Sequence, residues 1–270
     1  MSYLETAVEI AREAGSLLVN YYERRVAFEL KGEFDLVTEA DRASEKFVVE
    51  RLRSYFPSHR IVAEEGGGHD NTTSEYCWYV DPLDGTTNFA HGFPAFNVTL
   101  GLARAGEVVA GVVNDPIRQE MFTAERGAGA YLNHHRLRVS TARNLRDSLS
   151  STGFPSRKRH HNRNIHFYYQ LAMASHGVRR TGSAAIDLAY VAAGRLDFFW
   201  EFGLKPWDMA AGTLLVQEAG GRVSDMRGNT HALVGSDDVL ADNGALHDEV
   251  LSIFAEIFAG KFRVPIPPIA

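Results

Sequence analysis

Apolar side chains recur at helical spacing close to the N-terminus of the chain. Between residues 4 and 22 they fall every three or four positions, and Ser2 and Glu5 stand at the start of this pattern. A serine followed three residues later by a glutamate is typical of a capping box, in which each side chain accepts a hydrogen bond from the backbone N–H of the other residue. The sequence therefore predicts an amphipathic first helix that begins at Ser2.

A second helical pattern follows the pair Thr38 and Asp41. Apolar residues recur from Phe47 to Phe56, and Pro57 then ends the pattern. The same capping logic predicts a second helix that runs to Phe56. On this interpretation Asp41 caps a helix.

Short apolar segments in the first half of the chain are typical of strands. They are residues 61–63, 77–80, 97–103, 108–114 and 121–123. The third and fourth segments flank a turn that contains Gly106, which predicts a hairpin. The first half, residues 1–147, is therefore expected to be of α+β type.

The order of patterns changes after about residue 147. Helices are predicted at 165–174, 184–193, 246–258 and in a segment that ends at 219, with strands at 196–200 and 239–241. We therefore predict that residues 148–270 form an α/β half, which packs with the first half as one compact unit.

The segment DPLDGTTNFA, which begins at Asp81, carries the strongest chemical signal. Asp81 follows an apolar run and precedes a proline, so it is predicted to end a buried strand. Asp84 returns toward it across a tight turn, Leu83 leaves its carbonyl free, and Gly85 and Thr86 open a helix whose N–H groups favour an anion. The same residue types are ordinary in turns and caps, so a purely structural role stays open at this point.

Two further acids favour a chemical role for this segment over a purely structural one. Glu64 follows the strand-like segment 61–63, and Asp208 falls in the first turn of a helix, where acids are common because of the helix dipole. Bringing such carboxylates together would cost on the order of 4 kcal/mol for each pair ~4 Å apart. A divalent cation removes that conflict, and hard oxygen ligands without Cys or His favour Mg²⁺ or Mn²⁺.

Three motifs resemble the signatures of the inositol monophosphatase family. They are Glu64-Glu65, the segment from Asp81 to Phe89, and Trp207-Asp208-Met209-Ala210-Ala211-Gly212. The resemblance extends through residues 35–41, 182–185 and 194–197, so it covers nearly the whole chain in the order of the family. It implies a layered α-β-α-β-α sandwich of the inositol monophosphatase and fructose-1,6-bisphosphatase type.

The resemblance also implies a site for two or three Mg²⁺ ions. Glu64, Asp81 and the Leu83 carbonyl would hold one ion. Asp81, Asp84 and Asp208 would hold a second ion, so that Asp81 bridges the pair.

The roles implied for the other residues describe the hydrolysis of a phosphate monoester. Thr86 would hydrogen-bond the attacking water, Asp41 would orient the Thr86 hydroxyl, and Glu64 would also face that water. The attack on phosphorus would be direct and in line, without a phosphoenzyme. Substrate contacts are expected from Asp84, Gly85, Thr86, Gly182, Ser183, Ala184 and Glu201.

We expect Glu201 to bind the substrate hydroxyls. It follows an apolar strand, and a carboxylate accepts hydrogen bonds from ring hydroxyls. Lys31 resembles a loop lysine near the third, weaker metal, but it is equally well explained as a solvated side chain. The most favoured substrate is inositol 1-phosphate or a related sugar-alcohol phosphate. Histidinol phosphate, fructose 1,6-bisphosphate and nucleotide 3′-phosphates are alternatives.

Composition and charge narrow the remaining possibilities. The chain has 270 residues, a formal net charge of −6 and a single cysteine, Cys77. One cysteine excludes an intrachain disulfide framework, and neither a leader pattern nor a run of ~20 apolar residues is present, so we expect a cytoplasmic protein without a membrane span. The negative charge argues against general affinity for nucleic acid, although the basic segment 157–163 is a candidate anion-binding loop.

Two alternatives to this enzyme stay open. Haloacid dehalogenase-like phosphatases use a similar motif, but there the two aspartates are two residues apart, whereas Asp81 and Asp84 are three apart. A regulatory binding protein on a phosphatase scaffold is the second alternative, because a fold does not determine its function. From the resemblance we also expect a homodimer and inhibition by lithium.

Overall fold

The computed structural model describes residues 2–24, 27–30, 36–154, 162–230 and 236–268. The elements up to residue 136 are α1 (Tyr3–Arg24), β1 (Phe28–Leu30), β2 (Leu36–Thr38), α2 (Glu39–Tyr55), β3 (Arg60–Ala63), β4 (Tyr76–Asp84), α3 (Thr86–Ala90), β5 (Asn97–Arg104), β6 (Glu107–Asp115), β7 (Glu120–Glu125), β8 (Gly129–Leu132) and β9 (His135–Arg136). A short 3₁₀ helix, Leu145–Asp147, precedes the remaining elements. These are β10 (Leu149–Thr152), α4 (Asn164–Ala174), β11 (Gly177–Arg179), α5 (Ala184–Ala192), β12 (Phe198–Phe202), α6 (Pro206–Glu218), β13 (Arg222–Ser224), β14 (Asp238–Asp242) and α7 (His247–Phe258).

Both predicted capping boxes are present. Ser2 and Glu5 exchange hydrogen bonds at the start of α1, at 2.7 Å and 3.1 Å. Thr38 and Asp41 do the same at the start of α2. The helices predicted after each pair are confirmed, and α2 ends at Tyr55, one residue before the predicted end at Phe56.

Among the described residues, two main sheets form the frame of the fold. Strands β3 to β9 form a seven-stranded sheet in chain order, in which only the β3–β4 pair is parallel. A five-stranded sheet has the order β11-β10-β12-β14-β13, in which β10 runs parallel to both of its neighbours. The predicted hairpin is the β5–β6 pair.

In the part of the chain that the structure describes, three apolar cores hold these sheets between layers of helices. Trp78 and Val80 of β4 lie in the core that α1 and α2 form with one face of the large sheet. Tyr79, on the opposite face, shares a core with α5, α6 and Phe199 of the small sheet. The other face of the small sheet, including Trp200, packs with α4 and α7. The order of layers is therefore α-β-α-β-α, as the resemblance implied.

The central helices approach the large sheet closely. A Cβ atom at Gly101 of β5 would lie 2.5 Å from the Cβ atom of Ala210 in α6. This contact excludes any larger residue at position 101 unless the helix moves. Since Asp208 lies in the first turn of α6, the same packing constrains its position. The boundary at residue 147 stays a prediction.

Candidate active site between the two sheets

The backbone around Asp81 differs from the expectation. Strand β4 does not end at Asp81, because pairing with β5 resumes at Asp84 after an irregularity. Pro82 has no N–H to donate to the ladder, which accounts for the break at this point. Within the break the N–H of Leu83 donates to Oδ1 of Asp81 over 3.1 Å, so the turn is closed locally.

Gly85 makes the turn from β4 into α3 possible. Its φ is 93°, in the left-handed region that favours glycine. A Cβ atom there would also lie 2.8 Å from the carbonyl oxygen of Ala95. The predicted helix opening at Thr86 is confirmed, although α3 is only five residues long.

A chain of hydrogen bonds connects Thr86 to the start of α2. The Thr86 hydroxyl donates to Oδ1 of Asp41 over 2.9 Å, and the Leu83 carbonyl lies 3.1 Å away as a second acceptor. The other carboxylate oxygen of Asp41 accepts from the N–H and the hydroxyl of Thr38. The capping and catalytic interpretations of Asp41 are therefore compatible, because one oxygen caps the helix while the other faces Thr86.

Two residues on the same face of α2 had no role in the sequence analysis. Ser44 donates to the Pro82 carbonyl over 2.8 Å, which anchors the break in β4. Glu45 accepts from the N–H groups of Glu65 and Gly67, both over 2.7 Å, and so holds the loop beyond Glu64. Both lie within one turn of Asp41. The sequence shows this spacing, but it does not show which groups these side chains contact.

The other three acids of the predicted metal site affect the pKa of Asp81. Burial raises the pKa of Asp81 well above its usual range, and Glu64, Asp84 and Asp208 raise it further. Burial also raises the pKa of Asp208, while the N–H of Lys205, 2.6 Å from Oδ2, opposes that shift. Glu64 directly follows β3, Asp81 and Asp84 lie in β4, and Asp208 lies in the first turn of α6.

The residues fit a hard divalent cation, because they combine carboxylates with the Leu83 carbonyl and place like charges close together. Within the described ranges, however, no three His, Cys, Asp or Glu side chains are already arranged to hold a metal ion. An ion would therefore have to draw the carboxylates inward or complete its shell with water, which Mg²⁺ commonly retains.

Asp84 is held from both halves of the chain. Its Oδ2 accepts from Asn97 Nδ2 at 3.0 Å, Ser183 Oγ at 2.6 Å and the N–H of Ala185 at 2.9 Å. Burial raises the pKa of Asp84, and the hydrogen bonds from Ser183, Asn97 and Ala185 oppose that rise. Asn97 was missed because it lies outside every motif, at the start of a strand pattern.

The Gly182-Ser183-Ala184 segment opens α5, as predicted, with Ser183 as the N-cap. Gly182 has a φ of 84°. Asn88 connects this segment to α3, since its Nδ2 donates to the carbonyls of Ala95 at 2.7 Å and Thr181 at 2.8 Å. The expected substrate-contacting backbone of the second half thus lies beside the helix that carries Thr86.

Glu201 lies within β12 and does not follow the strand as expected. The strand extends to Phe202 because residues 198–202 pair with β14. Glu201 shares the face of Phe199, toward α5 and α6, and only 9% of it is exposed. A Cβ atom at Gly153 would lie 2.0 Å from Oε1 of Glu201, so the carboxylate packs directly against the Gly153 backbone.

Asp187 of α5 is a buried acid that sequence reasoning did not single out. Burial raises its pKa well above the usual range. In the part of the chain that the structure describes, its Oδ1 has no hydrogen-bond partner. Burial likewise raises the pKa of Glu201, and Asp187, Asp208 and Asp84 raise it further. In the sequence Asp187 resembles any acid near a helix start, so no local signal could reveal it.

Lys31 and most of the basic segment 157–163 lie outside the described residues. Cys77 is half-buried in β4, and burial raises the pKa of its thiol. No helix within the described ranges combines the length and apolar character needed to cross a membrane.

Comparison with known proteins gives a consistent result. Residues 1–258 match the model of the inositol monophosphatase family. A Pseudomonas aeruginosa protein named "Nus factor SuhB" is 47% identical over 247 residues, covering 89% of this chain and 91% of that protein. A Mesorhizobium japonicum "Inositol-1-monophosphatase" is 45% identical over 251 residues, covering 92% and 94%. The crystal structure of extragenic suppressor protein suhB from Bartonella henselae matches with a TM-score of 0.88 and 41% identity, covering 93% of this chain and 97% of that one.

Proposed function

Because this chain belongs to the inositol monophosphatase family, we propose that it is a Mg²⁺-dependent phosphatase that hydrolyses inositol 1-phosphate to inositol and phosphate. The observation that carries this proposal is the chain of hydrogen bonds from Thr38 through Asp41 to Thr86, whose hydroxyl also lies 3.1 Å from the carbonyl of the proposed ligand Leu83. This arrangement orients a hydroxyl next to a site suited to cations.

The proposed cation ligands are Glu64, Asp81, the Leu83 carbonyl, Asp84 and Asp208. Bound divalent cations at such a site would polarise a phosphate ester and lower the pKa of water. Without a cation these carboxylates repel one another and the anionic substrate. Activity should therefore be lost on chelation.

The chain's own residues would orient the water. Since the Thr86 hydroxyl donates its proton to Asp41, its oxygen is left to accept a hydrogen bond from water. Asp41 stays fixed because Thr38 occupies its other oxygen. The resulting geometry would direct a lone pair of the water at phosphorus, and the backbone N–H groups of Gly85 and Thr86 would receive the phosphate oxygens.

The polyol would lie toward the second half of the chain, near the Gly182-Ser183-Ala184 segment and Glu201. An ionised Glu201 accepts hydrogen bonds only, so it would select substrate hydroxyls over negatively charged groups. This feature favours inositol 1-phosphate over fructose 1,6-bisphosphate, whose second phosphate would be repelled. Histidinol phosphate and nucleotide 3′-phosphates are alternative substrates of the same chemistry.

A substrate panel tests the proposal. Phosphate release would be measured from these four esters, each with Mg²⁺ and with chelator, using Asp84→Asn as the inactive control. We expect Mg²⁺-dependent release with inositol 1-phosphate preferred. Preference for another ester would replace the substrate and keep the chemistry, whereas no release from any ester by a Mg²⁺-binding protein would contradict the proposal.

A regulatory factor is the second candidate, since the Pseudomonas relative carries the name "Nus factor". The expected low affinity for nucleic acid is therefore a prediction to be tested. Binding of an RNA or a protein that persists in Asp84→Asn and weakens with salt would support this second role.

We also propose that the protein is a homodimer, which a sedimentation experiment would test. We propose a cytoplasmic location, which cell fractionation would test, and inhibition by lithium, which a lithium titration would test.

A further inference from the structure

One oxygen of Asp84 receives a convergent set of donors. Asn97 Nδ2, Ser183 Oγ and the backbone N–H of Ala185 all bind Oδ2, at 3.0, 2.6 and 2.9 Å. None of these three donors uses Oδ1. The carboxylate is therefore fixed in rotation, with one oxygen engaged by protein and the other directed away from these groups.

The donors have a defined direction. The carbonyl oxygen of the Asn97 side chain accepts from the Thr99 hydroxyl, which turns the Asn97 amide nitrogen toward Asp84 and Ser183. Ser183 Oγ accepts from Asn97 at 2.8 Å and from the N–H of Ile186 at 3.2 Å. Since both acceptor positions are occupied, the hydroxyl proton of Ser183 can only point to Asp84.

The network also spans the two halves of the chain. Asn97 and Thr99 belong to β5 of the large sheet, and both are fully buried. Ser183 and Ala185 belong to the start of α5 in the second half. A buried network in which every member is satisfied is rigid, so the orientation of Asp84 depends on correct packing of both halves.

We propose that Asn97 is a positioning residue that, together with Ser183, holds Oδ2 of Asp84 so that Oδ1 is presented to the divalent cation. This inference rests on the proposed function, because it assumes that Asp84 is a cation ligand. Asn97 does not touch the substrate or the cation. It acts through Asp84, as partners of metal ligands commonly do, and removal of such partners lowers metal affinity about 10- to 100-fold.

Direct Mg²⁺ binding, measured by calorimetric titration of the full-length chain, tests the proposal without relying on turnover. For Asn97→Ala we expect Mg²⁺ affinity about 10-fold lower or more. Ser183→Ala should show a loss of the same order, and Ser183→Thr, which keeps the hydroxyl, should retain the parent affinity. Unchanged Mg²⁺ affinity in Asn97→Ala would overturn the proposal.

Asn114→Ala is the matched control. Asn114 is also a buried asparagine of the large sheet, on the adjacent strand β6, but its Nδ2 donates to the Ala11 carbonyl of α1 over 2.8 Å. This variant should lose stability without losing Mg²⁺ affinity. An equal loss of Mg²⁺ affinity in both asparagine variants would show a general effect of destabilisation and would also overturn the proposal.

Should Asn97→Ala fail to fold, Thr99→Val provides the test, because it keeps the volume and removes only the hydroxyl that orients the Asn97 amide. We expect a loss of Mg²⁺ affinity of about 3-fold to 10-fold, and parent-like affinity would contradict the proposal.

Asp84→Asn separates this inference from the function on which it rests. If Asp84→Asn binds Mg²⁺ as the parent does, the proposed site is wrong, whereas loss in Asp84→Asn alone contradicts only the role of Asn97.

Discussion

The two walls of the candidate site are built in different ways. On the first wall, which we define as Asp41, Asp81, Leu83 and Thr86, hydrogen bonds fix the side chains in sequence from α2 to α3. On the second wall, which we define as Asp187 and Glu201, burial raises the pKa of each carboxyl, as it does for Asp81, but Asp187 Oδ1 has no partner within the described chain. Asp84 belongs to neither wall and is held by Asn97 of β5 and by Ser183 and Ala185 at the start of α5.

This difference assigns different tasks to the two walls. A network with satisfied donors and acceptors is rigid before ligands arrive, which suits the orientation of a water and a cation. Buried carboxylates with few partners gain hydrogen bonds only when a ligand supplies donors, which suits the recognition of hydroxyls. The first wall should therefore control kcat, and the second should control KM and the stability of the ligand-free protein.

The largest effect is expected at Asp84. Asp84→Asn keeps the volume and removes a charge that the cations require, so Mg²⁺-dependent kcat/KM should fall about a thousandfold, equivalent to roughly 4 kcal/mol. Phosphate release at saturating substrate and Mg²⁺ would measure this. Circular dichroism should show a folded variant, and turnover near the parent level would remove Asp84 from the site.

Thr86→Val should mainly affect kcat, because it removes the hydroxyl that Asp41 orients and preserves shape. We expect kcat to fall about 100-fold with KM changed little, within the range typical of lost general acid–base or orienting groups. Thr87→Val is the matched control, since Thr87 lies next in the same short helix and is exposed. Similar losses in both variants would mean that α3, and not the hydroxyl, limits the rate.

Glu201→Gln should affect the opposite wall. The neutral amide weakens charge-assisted hydrogen bonds to substrate hydroxyls, so KM should rise about 10-fold, or roughly 1.4 kcal/mol, while kcat changes little. Since the variant also removes a desolvated charge, its unfolding temperature in chelator at pH 8 should exceed that of the parent. Glu107→Gln, an exposed acid of β6, should change neither quantity. A large fall in kcat with unchanged KM would contradict this division of tasks.

The smallest expected effect is a pH dependence of stability in the metal-free protein. The pKa values of Asp187 and Glu201 are raised on folding. Their stabilising contribution is therefore complete below the unfolded-state pKa values of about 4 and is lost as the pH rises toward the folded-state values. Between pH 5 and 8 in chelator the unfolding temperature should fall by a few degrees, at about 2–4 °C per kcal/mol.

Asp187→Asn should make that decline shallower, because it removes one of the groups that must ionise while buried. Thermal unfolding of both proteins at several pH values would measure the difference. A parent protein whose stability rises through the same window in chelator would contradict the sign, since it would imply carboxyl groups with lowered pKa values.

The sequence predicted those features of the fold that depend on residues close together in the chain. The capping pairs Ser2–Glu5 and Thr38–Asp41, the β5–β6 hairpin and the Asp81–Thr86 motif depend on neighbouring residues, and all of these predicted elements are present. The end of β4 was misplaced because pairing with β5 resumes beyond Pro82, and only the partner strand determines that. Glu201 was placed after its strand for the same reason, since β14 extends the pairing.

The residues missed at the site depend on contacts between distant segments. Asn97 reaches Ser183, 86 residues away, and Glu45 reaches the loop of Glu65, 20 residues away. Neither position carries a pattern that differs from an ordinary strand or helix. A single sequence therefore identified the groups expected to carry out chemistry and missed those that hold them in place.

The most direct test of the account is the Mg²⁺ dependence of phosphate release from inositol 1-phosphate by the unmodified chain. The protein would first be stripped with chelator and then assayed over increasing Mg²⁺ concentration. We predict no release above the buffer rate in chelator and a saturable increase with Mg²⁺. Release at the same rate with and without Mg²⁺, or saturable Mg²⁺ binding with no release from this or any other phosphate monoester of the panel, would contradict the account.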